Sequence, residues 1–288
     1  MNKLKRIARI QPADRTHSVG DGFRVKSMIP RDAKEMATPF LMLDYNEPWQ
    51  VLPSRHPRGV GAHPHKGFET VTIIWSGEVT HEDSTGARGT IGPGDVQWMT
   101  AGSGILHKEY HAEAFSQKGG EFHVAQLWVN LPAANKNTPP AYQDIRNADI
   151  PVLELEDNSG SLRVIAGNFR DTTGPAKTFT PIQLWDVKLT AGGSLKFDVA
   201  EGDSLQIAVL SGHVMINDTQ ARGNDWVLMS PQHSAMDIES NNESHLLIMG
   251  GKPINEPIMQ YGPFVMNTKE EITEAMEAFE NGRFGALA

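Results

Sequence analysis

The chain has 288 residues, long enough to bury a large core as one large or two medium domains. Its 35 acidic against 26 basic residues give a formal charge of −9, which argues against broad, phosphate-driven nucleic-acid binding. Cysteine is absent, so there is no disulfide framework and no thiolate ligand, and any metal must sit on nitrogen and oxygen.

The opening Met1-Asn-Lys-Leu-Lys-Arg-Ile is basic but has no long apolar segment and no small-residue cleavage site. No stretch reaches the ~18 apolar residues that cross a bilayer, so the expectation is a cytoplasmic protein with no membrane partner. Lys3–Ile10 reads as an edge strand. Gly20-Asp-Gly22 turns into Phe23–Ile29, which alternates at period two and stops at Pro30. Phe40–Tyr45, bracketed by prolines, reads as a buried strand, and residues 49–60 read as a loop leading to a first histidine pair.

From Gly61 the pattern is strand, turn, strand. Gly61-Ala-His63-Pro-His65 leads to the β-branched Thr70–Trp75. Glu78–Glu82 lies between turn signals, and Gly94-Asp95 turns into Val96–Thr100. Ala101-Gly-Ser-Gly104 then bends the chain into Ile105-Leu-His107-Lys-Glu109. Alternate side chains of a strand share a face, so His63 pairs with His65 and His107 with Glu109. Two such pairs on facing strands present three imidazoles and one carboxylate to one point, a set suited to one divalent transition metal. Six of the eleven histidines fall between His56 and His111, a concentration that scattered surface usage does not produce. Strand parity alone serves Glu69 as well as Glu109 for the carboxylate.

Phe122–Val129 is a further strand. Pro132–Pro140, rich in Pro, Ala, Asn and Lys, reads as a linker, dividing the chain into 1–132 and 133–288. Strand texture then returns at Ser161–Ala166, Ile182–Leu189, Ser194–Val199, Asp203–Leu210, His213–Ile216, Trp226–Ser230 and Ser244–Met249. Ile74-Trp-Ser-Gly77 matches Val209-Leu-Ser-Gly212, and Gly94-Asp95 matches Gly223-Asn-Asp225. The pattern suggests two copies of one β domain. The second copy has no His-x-His and no His-x-Glu, and its His213, His233 and His245 read as structural or surface residues, so it is expected to be metal-free. Thr268-Lys-Glu-Glu271 is a capping box, with Ile272, Ala275, Met276 and Phe279 on one stripe and Gly282 as the stop, which predicts a short C-terminal helix. The fold class is therefore all-β.

The segments His63-Pro-His-Lys-Gly-Phe-Glu-Thr-Val71 and Gly94–Glu109 resemble the two signature motifs of the cupin superfamily. His107 comes two residues later than the usual cupin interval. That departure, with Leu127–Pro132 and Glu256–Thr268, resembles the pirin family over nearly the whole chain. The resemblance implies a bicupin: two cupin-type β-barrels with one metal in the N-terminal barrel, held by His63, His65, His107 and Glu109. It favours Glu109 over Glu69, the carboxylate of the general cupin pattern. It also implies Fe(II) first as cofactor, with Mn, Ni, Co, Cu or Zn as substitutes. The activity implied is a flavonol-type, quercetin 2,3-dioxygenase-like ring cleavage acting on a small aromatic substrate and dioxygen. In it Glu109 doubles as general base, and Phe68, Trp98, Met99 and Phe122 are candidate pocket walls. The competing function within the family is a non-enzymatic iron-binding regulator that docks on a transcription factor or a metabolic enzyme.

Overall fold

The computed structural model describes residues 3–287. Its secondary structure is almost entirely strand, apart from short helical turns and one longer helix, Lys269–Glu280. Among the described residues no helix is long and apolar enough to cross a membrane. The chain forms two compact units that exchange segments along the sequence. One, the N-terminal barrel, takes Arg15–Ser27, Leu41–Asn147 and the chain from Ile254 onward. The other, the C-terminal barrel, takes the chain up to Asp14, Met28–Phe40 and Ala148–Pro253. Set beside an expected break at 132/133, these units assign the C-terminal helix to the N-terminal barrel and the first strand, Ile7–Pro12, to the C-terminal one. Pairing decides this: Ile7–Pro12 is the edge neighbour of Asp225–Met229, and Phe264–Met266 and the helix form an apolar cluster with Leu106 and Phe284.

In the N-terminal barrel a seven-stranded sheet runs in the order Ala141–Ile145, Val96–Thr100, Phe68–Ser76, Gly120–Asn130, Phe40–Val51, Phe23–Ser27, His17–Val19. The second sheet has four strands in the order Gly59–His65, Ile105–His111, Val79–Asp83, Arg88–Ile91. The C-terminal barrel repeats the central pattern. Its large sheet includes Asp225–Met229, Ser204–Ser211, Ser244–Gly251 and Ile182–Leu189 as neighbours. Its small sheet runs Ser194–Asp198, Ala235–Ser240, His213–Ile216, Thr219–Arg222.

The matched turns carry matched conformations. Gly77 and Gly212 close equivalent hairpins at φ +86 and +89, and a Cβ on Gly77 would lie 2.5 Å from the Phe122 ring. The Gly94 amide donates to Ile74 O at 2.8 Å, and the Asn224 amide to Val209 O at 2.7 Å. Asp95 Oδ2 and Asp225 Oδ2 each accept the amide three residues earlier. The repeat read in the sequence is thus a repeat of hydrogen bonding.

Two local readings change. The Phe40–Val51 strand runs six residues past Tyr45 into the expected loop. The expected linker is a short 3₁₀ turn, Ala133–Asn135, followed by a buried Lys136. Its Nζ donates to Gly67 O at 2.8 Å, Asn130 Oδ1 at 2.7 Å and Val265 O at 3.0 Å. Such an anchor is invisible to composition because two of its three acceptors are remote in sequence. The C-terminal helix starts at the expected capping box, with Glu271 N donating to Thr268 Oγ1 at 3.1 Å and Thr268 N to Glu271 Oε2 at 2.9 Å.

Candidate metal centre

The small sheet of the N-terminal barrel places the histidines. Burial alternates residue by residue along Val79–Asp83 and Ile105–His111, so His81, Asp83, His107 and Glu109 all turn inward. Antiparallel pairing sets His107 opposite His63 and Ile105 opposite His65 on one side, and His107 opposite Asp83 and Glu109 opposite His81 on the other. A bulge between His107 and Glu109 shifts the register against Gly59–His65.

The three expected imidazoles converge. Ring centroids lie 4.8 Å apart for His63 and His65, 4.3 Å for His63 and His107, and 4.8 Å for His65 and His107. One ring nitrogen from each lies within 4.8 Å of the others, and one ligand atom each of His81, His107 and Glu109 lie equally close together. Within the protein Nε2 of His107 has no hydrogen-bond partner, and the His65 ring has none within 3.5 Å, feeling only the Pro263 carbonyl beyond it. Buried polar atoms are almost always paired, so bare nitrogens on two adjacent rings mark a place for a ligand. Burial, reinforced by the neighbouring imidazoles, holds His65 and His107 well below the ordinary histidine range, leaving the unprotonated rings that ligation requires. His63 Nδ1 meets Gly61 O at 2.8 Å; a carbonyl only accepts, so the proton is on Nδ1 and Nε2 carries the lone pair. The donor set fits a divalent metal, and the cluster can hold one.

Glu109 is buried and clamped. Gln126 Nε2 donates to its Oε1 at 3.2 Å and Oε2 at 2.9 Å, and Thr72 Oγ1 approaches Oε1 at 3.4 Å. Glu69 belongs to neither histidine group. It sits three residues from Thr72 on the same strand and therefore on the opposite face. There its Oε1 accepts from Thr100 Oγ1 at 2.7 Å, and burial raises its pKa to about 7.

Glu109 also borders a cavity of ≈ 30 Å³, walled by Val19, Phe23, Val25, Val60 and Val124, with Asp44, Thr72 and Gln126 as its other polar members. The expected walls lie elsewhere. Trp98 faces away from Gln97, the residue of its strand that reaches His81. Met99 packs with Ala101 and Ile105, and Phe122 packs with Ile74, Val79 and Ile91. Phe68 does touch the site, its ring 5.1 Å from that of His65.

Sequence reading missed His81 as a member of this cluster. Its Nε2 lies 2.9 Å from Asp83 Oδ2, and its Nδ1 lies 3.1 Å from Gln97 Nε2 and 3.3 Å from His107 Nδ1. Its ring stacks on Tyr142 at 5.1 Å. The one local signal was a histidine and an aspartate on the same parity of an alternating strand.

Comparison with known proteins agrees with this architecture. The family described as Pirin matches residues 22–129, and the Pirin C-terminal cupin domain matches residues 184–285. A Pseudomonas aeruginosa protein provisionally named quercetin 2,3-dioxygenase is 49% identical over 98% of this chain and 99% of its own length. Human Pirin is 34% identical over 99% of this chain and 96% of its own. A crystal structure titled quercetin 2,3-dioxygenase from Acinetobacter baumannii superposes with a TM-score of 0.96, at 45% identity and 99% coverage of both chains. With two barrels of one topology, a polar cluster in the first and matches along nearly its whole length, the chain belongs to the pirin family.

Proposed function

We propose that this protein is a metal-dependent dioxygenase that opens the central ring of a flavonol, with His63, His65, His107 and Glu109 as the ligands of one divalent metal, Fe(II) first. The observation that carries the reading is the set of buried, partnerless imidazole nitrogens beside an inward carboxylate. The substrate class rests on the names of the Pseudomonas and Acinetobacter relatives. When bound, the metal supplies Lewis acidity toward a hydroxy-ketone and redox access to dioxygen.

The chain's own residues supply the rest. Glu109 accepts the substrate hydroxyl proton at a carboxylate oxygen, and Gln126 and Thr72 hold that carboxylate on the cavity wall. The valines and Phe23 keep water from the ionised substrate. At ≈ 30 Å³ the cavity has room for little more than a water molecule or dioxygen, so a flavonol enters by displacing a wall. We place that displacement in the hairpin of His17–Val19 and Phe23–Ser27, whose outer strand is paired on one side only.

The test is loss of the flavonol absorbance band under air with dioxygen consumed in equal amount. The protein is loaded in turn with iron, manganese, nickel, cobalt, copper and zinc, from about pH 6 to about pH 9. Turnover with at least one metal, abolished by His63→Ala, is the expected result. Intact flavonols under every condition with a metallated protein would overturn the enzyme and leave the iron-binding regulator as the better account.

A further inference from the structure

Two overlapping groups share His107, one with His63 and His65 and the other with His81 and Glu109. Hydrogen-bond direction separates their roles. Asp83 Oδ1 is occupied by the Thr85 amide at 2.8 Å and the Thr85 hydroxyl at 2.6 Å. Its Oδ2 faces His81 Nε2 at 2.9 Å. A carboxylate accepts and does not donate, so the proton of this contact lies on His81 Nε2. Nδ1 of His81 then carries the lone pair, consistent with Gln97 pointing Nε2 at it from 3.1 Å. His107 Nδ1 faces the same lone pair at 3.3 Å in a fully buried site. It must bring a proton, because otherwise two lone pairs would oppose each other without water. The His107 Nε2 left bare by this chain is the orphan nitrogen.

We propose that Asp83 and His81 are positioning residues which, through oriented hydrogen bonds, hold His107 as the tautomer whose Nε2 can take the metal, and that His81 is not itself a ligand. The inference rests on the ligand set assigned above. A second observation carries it independently of hydrogen placement. In the C-terminal barrel the pairs Val214–Ser240 and Ile216–Ile238 stand where Val79–His111 and His81–Glu109 stand in the N-terminal barrel, so Ile216 takes the place of His81, and the shorter hairpin turns at Asn217-Asp218 before a paired residue can take that of Asp83. The fold fills the place of His81 with an apolar side chain, and leaves out that of Asp83, where no ligand histidine needs orienting. Buried carboxylate and imidazole at such positions require a reason, and the outer partner of a ligand histidine is the usual one.

Asp83→Asn tests the relay without changing its shape. The carbonyl oxygen of the substituted amide stays with Thr85, which turns the NH₂ group toward His81 Nε2. That nitrogen must then accept, so His81 moves its single N–H to Nδ1. His107 in turn moves its N–H from Nδ1 to Nε2, and no proton is gained or lost by either ring. The expected readouts are two. In metal-free, ¹⁵N-histidine-labelled protein, His107 changes from protonated Nδ1 with bare Nε2 to the reverse. In chelator competition with Fe(II) and with Ni(II), affinity falls about 10–100-fold.

His81→Phe, which keeps the ring on Tyr142 but removes the acceptor, should weaken binding over the same range. X-ray absorption at saturating metal should count the same number of imidazole ligands as in wild type. Wild-type affinity and an unchanged His107 tautomer in folded Asp83→Asn would overturn the relay while leaving the ligand set standing. One imidazole fewer in His81→Phe would overturn it by making His81 a ligand. A wild-type protein that binds neither metal would instead reject the ligand set, and the relay with it.

Discussion

The two barrels are the same construction filled in two ways. Aligned by strand order and register, the inward pair His63 and His107 of the N-terminal barrel corresponds to Phe197 and Met236, His65 to Val199 and Glu109 to Ile238. Thr72, Gln97 and Gln126 correspond to Ile207, Val227 and Ile248. Apart from Phe197, which packs against it partly buried, all of these apolar counterparts lie in one cluster that also contains Val214 and Ile216. The topology therefore demands only that these positions point inward. An apolar set yields core and a histidine set yields a site, whose unpaired nitrogens cost stability until a ligand meets them.

The sharpest way to break this comparison is to make the first barrel resemble the second. His63→Phe with His107→Met should abolish metal binding outright, by elemental analysis of purified protein. Metal-free, the variant should be more stable than metal-free wild type by ~1–3 kcal/mol, because a buried orphan nitrogen gives way to an apolar side chain. Full metal occupancy in the double variant would sink the assignment.

Glu109→Gln is the next largest effect. It keeps shape and removes basicity, so flavonol turnover should fall about 10²–10⁴-fold while metal content falls far less. Equal losses of metal and turnover would show that Glu109 acts as a ligand alone.

The converse graft sharpens the comparison from the other side. Met236→His places an imidazole in the cluster of Leu195, Ile216 and Ile238, where no Asp83–His81 pair orients it. It should destabilise the C-terminal barrel by about 3–5 kcal/mol in denaturant titrations, from lost burial plus unpaired ring nitrogens. Added Ni(II) should not restore the loss. Metal rescue would mean that inward position alone suffices to build a site.

Much of this was legible in the chain because the strand period is two. His63 with His65, and His107 with Glu109, declare a shared face without knowledge of the fold, and the Ser-Gly hairpins at Gly77 and Gly212 declare the repeat. What stayed hidden depended on which strands are neighbours. His81 has no His-x-His signature, and its partners Gln97 and His107 stand 16 and 26 residues away. Strands Ala141–Ile145, Thr219–Arg222 and Ala235–Ser240 were not anticipated, since each mixes polar and apolar residues in a short run. The cavity walls lie on five further strands and on the edge hairpin. For the same reason parity could not choose between Glu69 and Glu109: it orders residues within a strand, and only the sheet tells which face of Phe68–Ser76 looks inward.

That choice gives the smallest effect. Glu69 is 1% exposed and lies on the face away from the site, its carboxylate held by Thr100. Burial raises its pKa from 4.5 to about 7, opposed in part by the hydrogen bond from Thr100. The folded chain therefore holds a proton there that the unfolded chain releases between about pH 4.5 and pH 7. A group raised in this way favours folding below its unfolded pKa, and the benefit is lost as pH climbs through the folded value. At 1.36 kcal/mol per unit the full loss is roughly 3 kcal/mol. Glu69→Gln keeps an oxygen to accept the Thr100 hydroxyl and has nothing to ionise. Its unfolding free energy should match that of wild type near pH 4.5 and exceed it by ~2–3 kcal/mol at pH 8, with metal content unchanged. A gap that does not widen with pH would deny Glu69 this buried proton. A loss of metal in Glu69→Gln would instead bring Glu69 into the ligand set that its outward face excludes.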